Sequence, residues 1–272
     1  GDRVELNSAT AVVLGNGASI DVSGTALDDP ALSPGGTVAL RLPRAAVLSA
    51  ADAPQNAALR IGNAIHGSRE TVIEGYASYV DGDGIIDAAS TVADASNPLF
   101  ADAAAFSARA GDVLAALGQS TQSGVSVRPG IEITSPGDLT LAADWNLFDW
   151  HQGGEPGVLS LRAGGNLHLN ANLNDGFESP SATVLPEAGS RSWSYRLVAG
   201  ADGVSANPLA VRSDETLPGS IDTPAAQPVV VRTGTGRIDL AAAQDLRLGD
   251  ATAVVYTAGL AGPGIVVPKT FA

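Results

Sequence analysis

The sequence predicts an all-β chain coiled as a parallel β-helix, a solenoid with three short strands per rung. One helical excursion and one longer loop-and-strand excursion interrupt it. Three observations predict this. The first is a recurring motif. Gly137-Asp-Leu-Thr-Leu-Ala-Ala-Asp144 is nearly copied as Gly165-Asn-Leu-His-Leu-Asn-Ala-Asn172, 28 positions later (165 − 137). Looser copies, Gly236-Arg-Ile-Asp-Leu-Ala-Ala-Ala243 and Gln244-Asp-Leu-Arg-Leu-Gly-Asp-Ala251, run back to back. Each copy is a turn residue, an apolar–polar–apolar triplet and then small residues, the pattern of a short strand with one buried face. Such units cannot bury their apolar face alone and must stack.

The second observation is a fixed step. Ile131/Ile133 leads to Leu139/Leu141, Leu159/Leu161 to Leu167/Leu169, and Ile238/Leu240 to Leu246/Leu248, each pair separated by 8 residues (139 − 131, 167 − 159, 246 − 238). The third is composition. Hydrophobic residues make up 44% of the 272 but aromatic ones only 4%, while Gly (32) and Pro (16) are abundant. A narrow stacked core takes small and branched side chains, and its frequent turns take Gly and Pro.

In chain order, residues 1–80 read as rungs. Val4/Leu6, Val12/Leu14 and Ile20/Val22 repeat the step of 8 (12 − 4, 20 − 12), with turn residues such as Gly15-Asn16-Gly17 between them. Three such faces fit a rung of about 20–25 residues. Val38/Leu40/Leu42, Leu59/Ile61, Ile65 and Val72/Ile73 continue the faces, and Ala50-Ala-Asp-Ala-Pro54 reads as a loop.

Residues 81–123 break the pattern. Asp81-Gly-Asp-Gly84 is a turn, Asn97 an N-cap and Pro98 a first helical position, and Gly118 a C-cap. Gly111 is expected to divide the segment into two short helices. Residues 124–177 return to the period. Residues 178–228 form the second excursion, with one strand at Trp193–Val198. From 229 the rungs resume through Val229-Val-Val231 and Val254-Val-Tyr256 to a trailing strand. The whole chain, 1–272, reads as a single segment of something longer.

With 15 Lys+Arg against 29 Asp+Glu, the formal charge is −14, which argues against nucleic acid or anionic membrane surfaces as partners. The absence of cysteine excludes disulfides and thiolate chemistry. No run approaches the roughly 18–20 apolar residues of a membrane helix, so membrane insertion is not expected.

The stretches Gly124-Val-Ser-Val-Arg-Pro-Gly-Ile-Glu-Ile133, Asp138-Leu-Thr-Leu141 and Trp145-Asn-Leu147 resemble the filamentous haemagglutinin family of large exoproteins. The resemblance continues through Gly153–Ala163, Asn166-Leu-His-Leu169, Asp175-Gly-Phe177, Ser192–Gly200 and Val229–Leu240. It covers the C-terminal half well and the first half by rung pattern only. It implies a right-handed parallel β-helix shaft. It also implies two-partner secretion through an outer-membrane transporter, contacted by a domain outside this segment. The expected setting is the bacterial cell surface, in adhesion, biofilm formation or presentation of a distal effector domain. The expected partner is a surface receptor or glycan.

No residue is assigned a catalytic, cofactor-binding or metal role, no cofactor is expected, and the chain is not read as an enzyme. His66, His151 and His168 lack a second ligand at metal spacing, and His168, between Leu167 and Leu169, faces outward. Asp81-Gly-Asp-Gly-Ile-Ile-Asp87 lacks the first and last acidic ligands of a calcium loop. Asp138, Asp144, Asn166, Asn170, Asn172, Asp239 and Asp245 read as solvated turn residues. Trp145, Phe148 and Trp150 either stack on sugar rings or cover a core edge. The alternatives are a carbohydrate-binding module working through the two excursions and a polysaccharide lyase or hydrolase. The last is disfavoured because no carboxylate cluster recurs at rung spacing.

Overall fold

The computed structural model describes residues 3–24, 35–62, 64–87, 98–119, 124–151, 155–178, 191–214 and 216–259. The expected N-cap Asn97, residues 152–154 of the loop after Trp150 and the expected trailing strand at 262–268 lie outside them. The described chain is mostly β, every strand pair within its sheets for which a register is resolved is parallel, and helix is a minor part. It divides into two compact units, one of residues 1–77 and 104–130 and the other of residues 78–103 and 131–272.

In the first unit the early doublets form β1 (Arg3–Asn7), β2 (Val12–Val13) and β3 (Ile20–Asp21). Each joins a different sheet. β1 pairs with β4 (Thr37–Pro43), β2 with β5 (Leu59–Arg60) and β3 with β6 (Ile65–His66). β4 pairs on its other side with β7 (Glu70–Val80), whose first residues belong to this unit. The expected loop at Ala50–Pro54 is instead the end of a helix, α1 (Arg44–Asp52), followed by a 3-10 turn at Pro54–Asn56. Alanine favours helix, and Ala46, Val47 and Ala50 bury one face beside Leu40, Leu42 and Leu59. Pro54 then keeps the chain from continuing as α-helix.

The helical excursion is α2 (Pro98–Ala108) and α3 (Ala110–Ala116), starting at Pro98 as expected. The break falls at Arg109, not Gly111, which lies within α3. Arg109 takes φ −95° and ψ 0°, and its guanidinium bonds Asp112 and Asp52. Gly118, at φ +65°, terminates the segment in the left-handed conformation that a helix C-terminus favours.

The second unit shows the period fully. β8 (Ile85–Ile86), the end of β9 (Val125–Ser135), β10 (Leu139–Leu141) and β11 (Trp145–Asn146) are followed by β12 (Val158–Ala163), β13 (Leu167–Leu169) and β14 (Leu173–Asn174). Then come β15 (Ser194–Ala199), β16 (Ile221–Asp222), β17 (Val230–Thr233), β18 (Ile238–Ala242), β19 (Leu246–Arg247) and β20 (Val254–Thr257). From β9 onward, successive strands go in turn to three sheets. These contain β9-β12-β15-β18, β8-β10-β13-β16-β19 and β11-β14-β17-β20. Register is kept throughout: Leu139 pairs with Leu167 and Leu167 with Ile221, while Leu159 pairs with Tyr195 and Tyr195 with Ile238. The strand foreseen inside the second excursion is β15. It pairs on both sides within a sheet, as does β16, because Tyr195, Leu197 and Ile221 repeat the inward positions of the layers below. Inward residues form one apolar cluster, from Ile131 and Ile133 to Val229 and Val231. Both faces of β12 are buried, so its outward residues Ser160 and Arg162 are covered as well.

Candidate functional site

The polar residues of the recurring motif are not simply solvated. Asp138 Oδ1 accepts the backbone N–H of Asn166 at 2.7 Å, and Asn166 Oδ1 accepts that of Ser220 at 3.0 Å. Six residues further along, Asp144 Oδ1 accepts from Asn172 N at 2.8 Å and Asn172 Oδ1 from Val230 N at 2.8 Å. These ladders bind each turn to the next layer and satisfy N–H groups that the sheets leave over.

The histidines acquire partners that linear spacing conceals. His151 Nε2 lies 2.9 Å from Oδ1 of Asp175, a carboxylate with no exposed surface, which also accepts the backbone N–H of Trp193 at 2.5 Å. His168, facing outward as expected, has Nδ1 2.8 Å from Asp222 Oδ1 in the next layer. His66 is near Asp21, whose carboxyl is held below its ordinary range mainly by hydrogen bonds from Ser23, with His66 a smaller contributor. Among the described residues no three His, Cys, Asp or Glu side chains converge as a metal site.

Trp145 and Trp150 are buried, 5.6 Å apart and edge-on, with Phe100 and Trp193 completing the cluster. The two tryptophans therefore present no face to a sugar, and only Phe148 of the expected trio is exposed. The Asp81–Gly84 segment is a turn that leads into β8. Asp81 Oδ1 accepts from Gly84 N at 2.9 Å and Asp83 Oδ1 from Ile85 N at 3.0 Å. Burial pushes the Asp81 carboxyl up, and its neighbour Asp83 adds to the rise.

The arrangement with the chemistry of a site lies on the outward side of β9 and β12. A cleft of about 500 Å³ is lined there by Ser78, Glu132, Ser135, Arg162, Ala201 and Arg212, among others. Glu132 and Arg162, each 5% exposed, form an ion pair at 3.4 Å, and Ser78 Oγ donates to Glu132 at 3.2 Å. Arg162 Nη2 donates to Asp202 O at 2.7 Å, and Arg212 Nη2 donates to Pro218 O at 2.8 Å. The Nε–H groups of both arginines are buried without an acceptor among the described residues. At the floor, Gly164 N donates to Ser135 O at 2.7 Å, and a Cβ on Gly164 would lie 2.3 Å from Pro136 O, so only glycine fits. Sequence reasoning missed this cleft. Glu132 and Arg162 occupy outward strand positions, where charge is ordinary, and Arg212 lies in an irregular segment without periodicity.

No protein-family model, curated protein or solved structure matches this chain. Among the described residues, no helix is long and apolar enough to cross a membrane.

Proposed function

We propose that the chain is a segment of a right-handed parallel β-helix with three short strands per coil. In this reading it is a structural shaft segment of a large secreted bacterial adhesin of the filamentous haemagglutinin kind. The supporting observation is the order in which strands return to three parallel sheets, with Leu139, Leu167 and Ile221 in consecutive register. Such a stack serves mechanically. Backbone hydrogen bonds between layers and the Asp138–Asn166 and Asp144–Asn172 ladders resist shear, and irregular segments are displayed at the turns. The cell-surface setting, passage through an outer-membrane secretion transporter and a role in adhesion or biofilm formation rest on the motif resemblance. The test is immunogold labelling of unpermeabilised producing cells with antibody to this chain. Label outside the outer membrane is expected, together with weakened adhesion when residues 124–259 are deleted from the parent protein. Label confined to the cytoplasm overturns the reading.

A second reading, a carbohydrate-binding module, is favoured by one observation. Ala201, Gly203 and Arg212, from the region between the regular coils, close the cleft over Glu132 and Arg162.

A further inference from the structure

The cleft over β9 and β12 has a charge balance and a donor set that select a ligand class. Its charged lining is two guanidinium groups, Arg162 and Arg212, against one carboxylate, Glu132. Glu132 is already engaged by Arg162 and Ser78. Among the described residues, the Arg212 guanidinium makes one hydrogen bond, to the Pro218 carbonyl. Asp214 is an acidic group close enough to Arg212 to feel its charge. Hydrogen bonds from the Thr216 hydroxyl and N–H occupy Asp214 and hold its carboxyl below the ordinary range, with Arg212 a weaker contributor. Asp202 turns its carboxylate to Val204 N. Among the described residues that line the cleft, one positive charge is therefore left over, in a protein whose formal charge is −14.

Buried donors without acceptors carry a desolvation cost that a bound oxyanion relieves, and both arginines have such an Nε–H. The rest of the lining suits a hydroxylated molecule. Ser78 and Thr134 donate their hydroxyl protons within the protein, to Glu132 and to Tyr79 O, and keep lone pairs to accept. Ser135 Oγ accepts from Gly137 N and keeps its proton to donate. Among the described residues no aromatic ring lines the cleft, and Val80, Pro136 and Ala201 supply the apolar part. A volume of about 500 Å³ is that of a small-molecule pocket.

We propose that this cleft binds a monoanionic sugar acid, a uronate as a free monosaccharide or as the terminal residue of a glycan, with its carboxylate on Arg212. A single surplus positive charge matches one carboxylate. A phosphate dianion would leave excess negative charge beside Glu132. Arg162 holds Glu132 and the Asp202 carbonyl in place, and Arg212 makes the direct contact. The proposal does not depend on the scaffold reading.

The test is calorimetric titration of the chain with D-glucuronate and D-galacturonate. Parallel arms use the glucuronate methyl ester, D-glucose, glucose 6-phosphate and a glucuronate-terminated disaccharide. Saturable binding of a uronate is expected, with the methyl ester and glucose weaker by roughly tenfold or more, because a charge-assisted hydrogen bond is lost. Arg212→Ala should weaken uronate binding by a similar factor. Amide chemical-shift changes on titrating the unsubstituted chain should centre on Gly164, Ala201 and Gly203, a readout independent of whether the variant folds. A tighter disaccharide than monosaccharide identifies a glycan terminus as the source, and the reverse identifies the free acid. Absence of uronate binding, equal binding of the ester, tighter binding of the phosphate, or shifts centred away from the cleft would each overturn the proposal.

Discussion

The carboxylate of Asp138 accepts the backbone N–H of Asn166, 28 residues later, at 2.7 Å. Asn166 stands in the same place of the next layer and repeats the contact upward to Ser220. A polar turn residue in this chain thus acts as one step of a ladder between layers, and the ladder is what the repeated motif encodes besides its apolar triplet.

Removing a step should cost the usual net worth of such a bond. Asn166→Ala and Asn172→Ala are each expected to lower stability by about 0.5–1.5 kcal/mol. Asn170→Ala, an exposed neighbour in the same motif, should change it by about 0.5 kcal/mol or less. Urea denaturation of the three variants checks the contrast.

Tyr195 has no exposed surface, and its hydroxyl has no hydrogen-bond partner among the described residues. Burial, reinforced by the charge of Asp175, pushes its pKa well up, so the ring stays neutral. Tyr195→Phe removes an unsatisfied polar atom while keeping the ring that packs between Leu159 and Ile238. The variant should be as stable as the original or more stable by about 1 kcal/mol. A loss of more than about 1 kcal/mol in urea denaturation would show that the hydroxyl has a partner.

Asp81 gives a pH dependence of definite sign. Its carboxyl is raised by burial and by Asp83, so the folded chain holds that proton more tightly than the unfolded chain does. The associated stabilisation is complete below the unfolded carboxyl pKa and is lost as pH climbs through the raised folded value. Asp81→Asn keeps an oxygen for the Gly84 N–H and removes the charge. It should raise the thermal midpoint by about 1–2 °C at neutral pH and have no effect near pH 3. Melting curves at the two pH values decide it.

Much of the layering was legible because it rests on side-chain alternation. Ile131/Ile133, Leu139/Leu141, Leu159/Leu161 and Leu167/Leu169 all enter one core, as a period of two with one buried face demands. What was not legible depends on contacts between layers. Asp138 and Asn172 looked like surface turn residues because nothing local distinguishes a solvated carboxylate or amide from one bonded to a segment 28 or 58 residues away. β16 was hidden by the long irregular segments around it, and α1 by an alanine run that reads equally as loop. The cleft was illegible for a related reason. Arg212 approaches Glu132 and Arg162 only after an irregular segment folds over the outward side of β12, and no periodicity records that closure.

Parallel strands pair in register, Leu139 with Leu167 and Leu167 with Ile221. Thr140 and His168 are Cα partners on the outward side of adjacent strands. A chain without cysteine allows both to be replaced by Cys and spin-labelled without background. Neighbouring strands lie about 4.8 Å apart, so the doubly labelled Thr140→Cys/His168→Cys chain should show strong dipolar broadening in its continuous-wave spectrum. A spectrum equal to the sum of the two singly labelled ones would contradict the stacking.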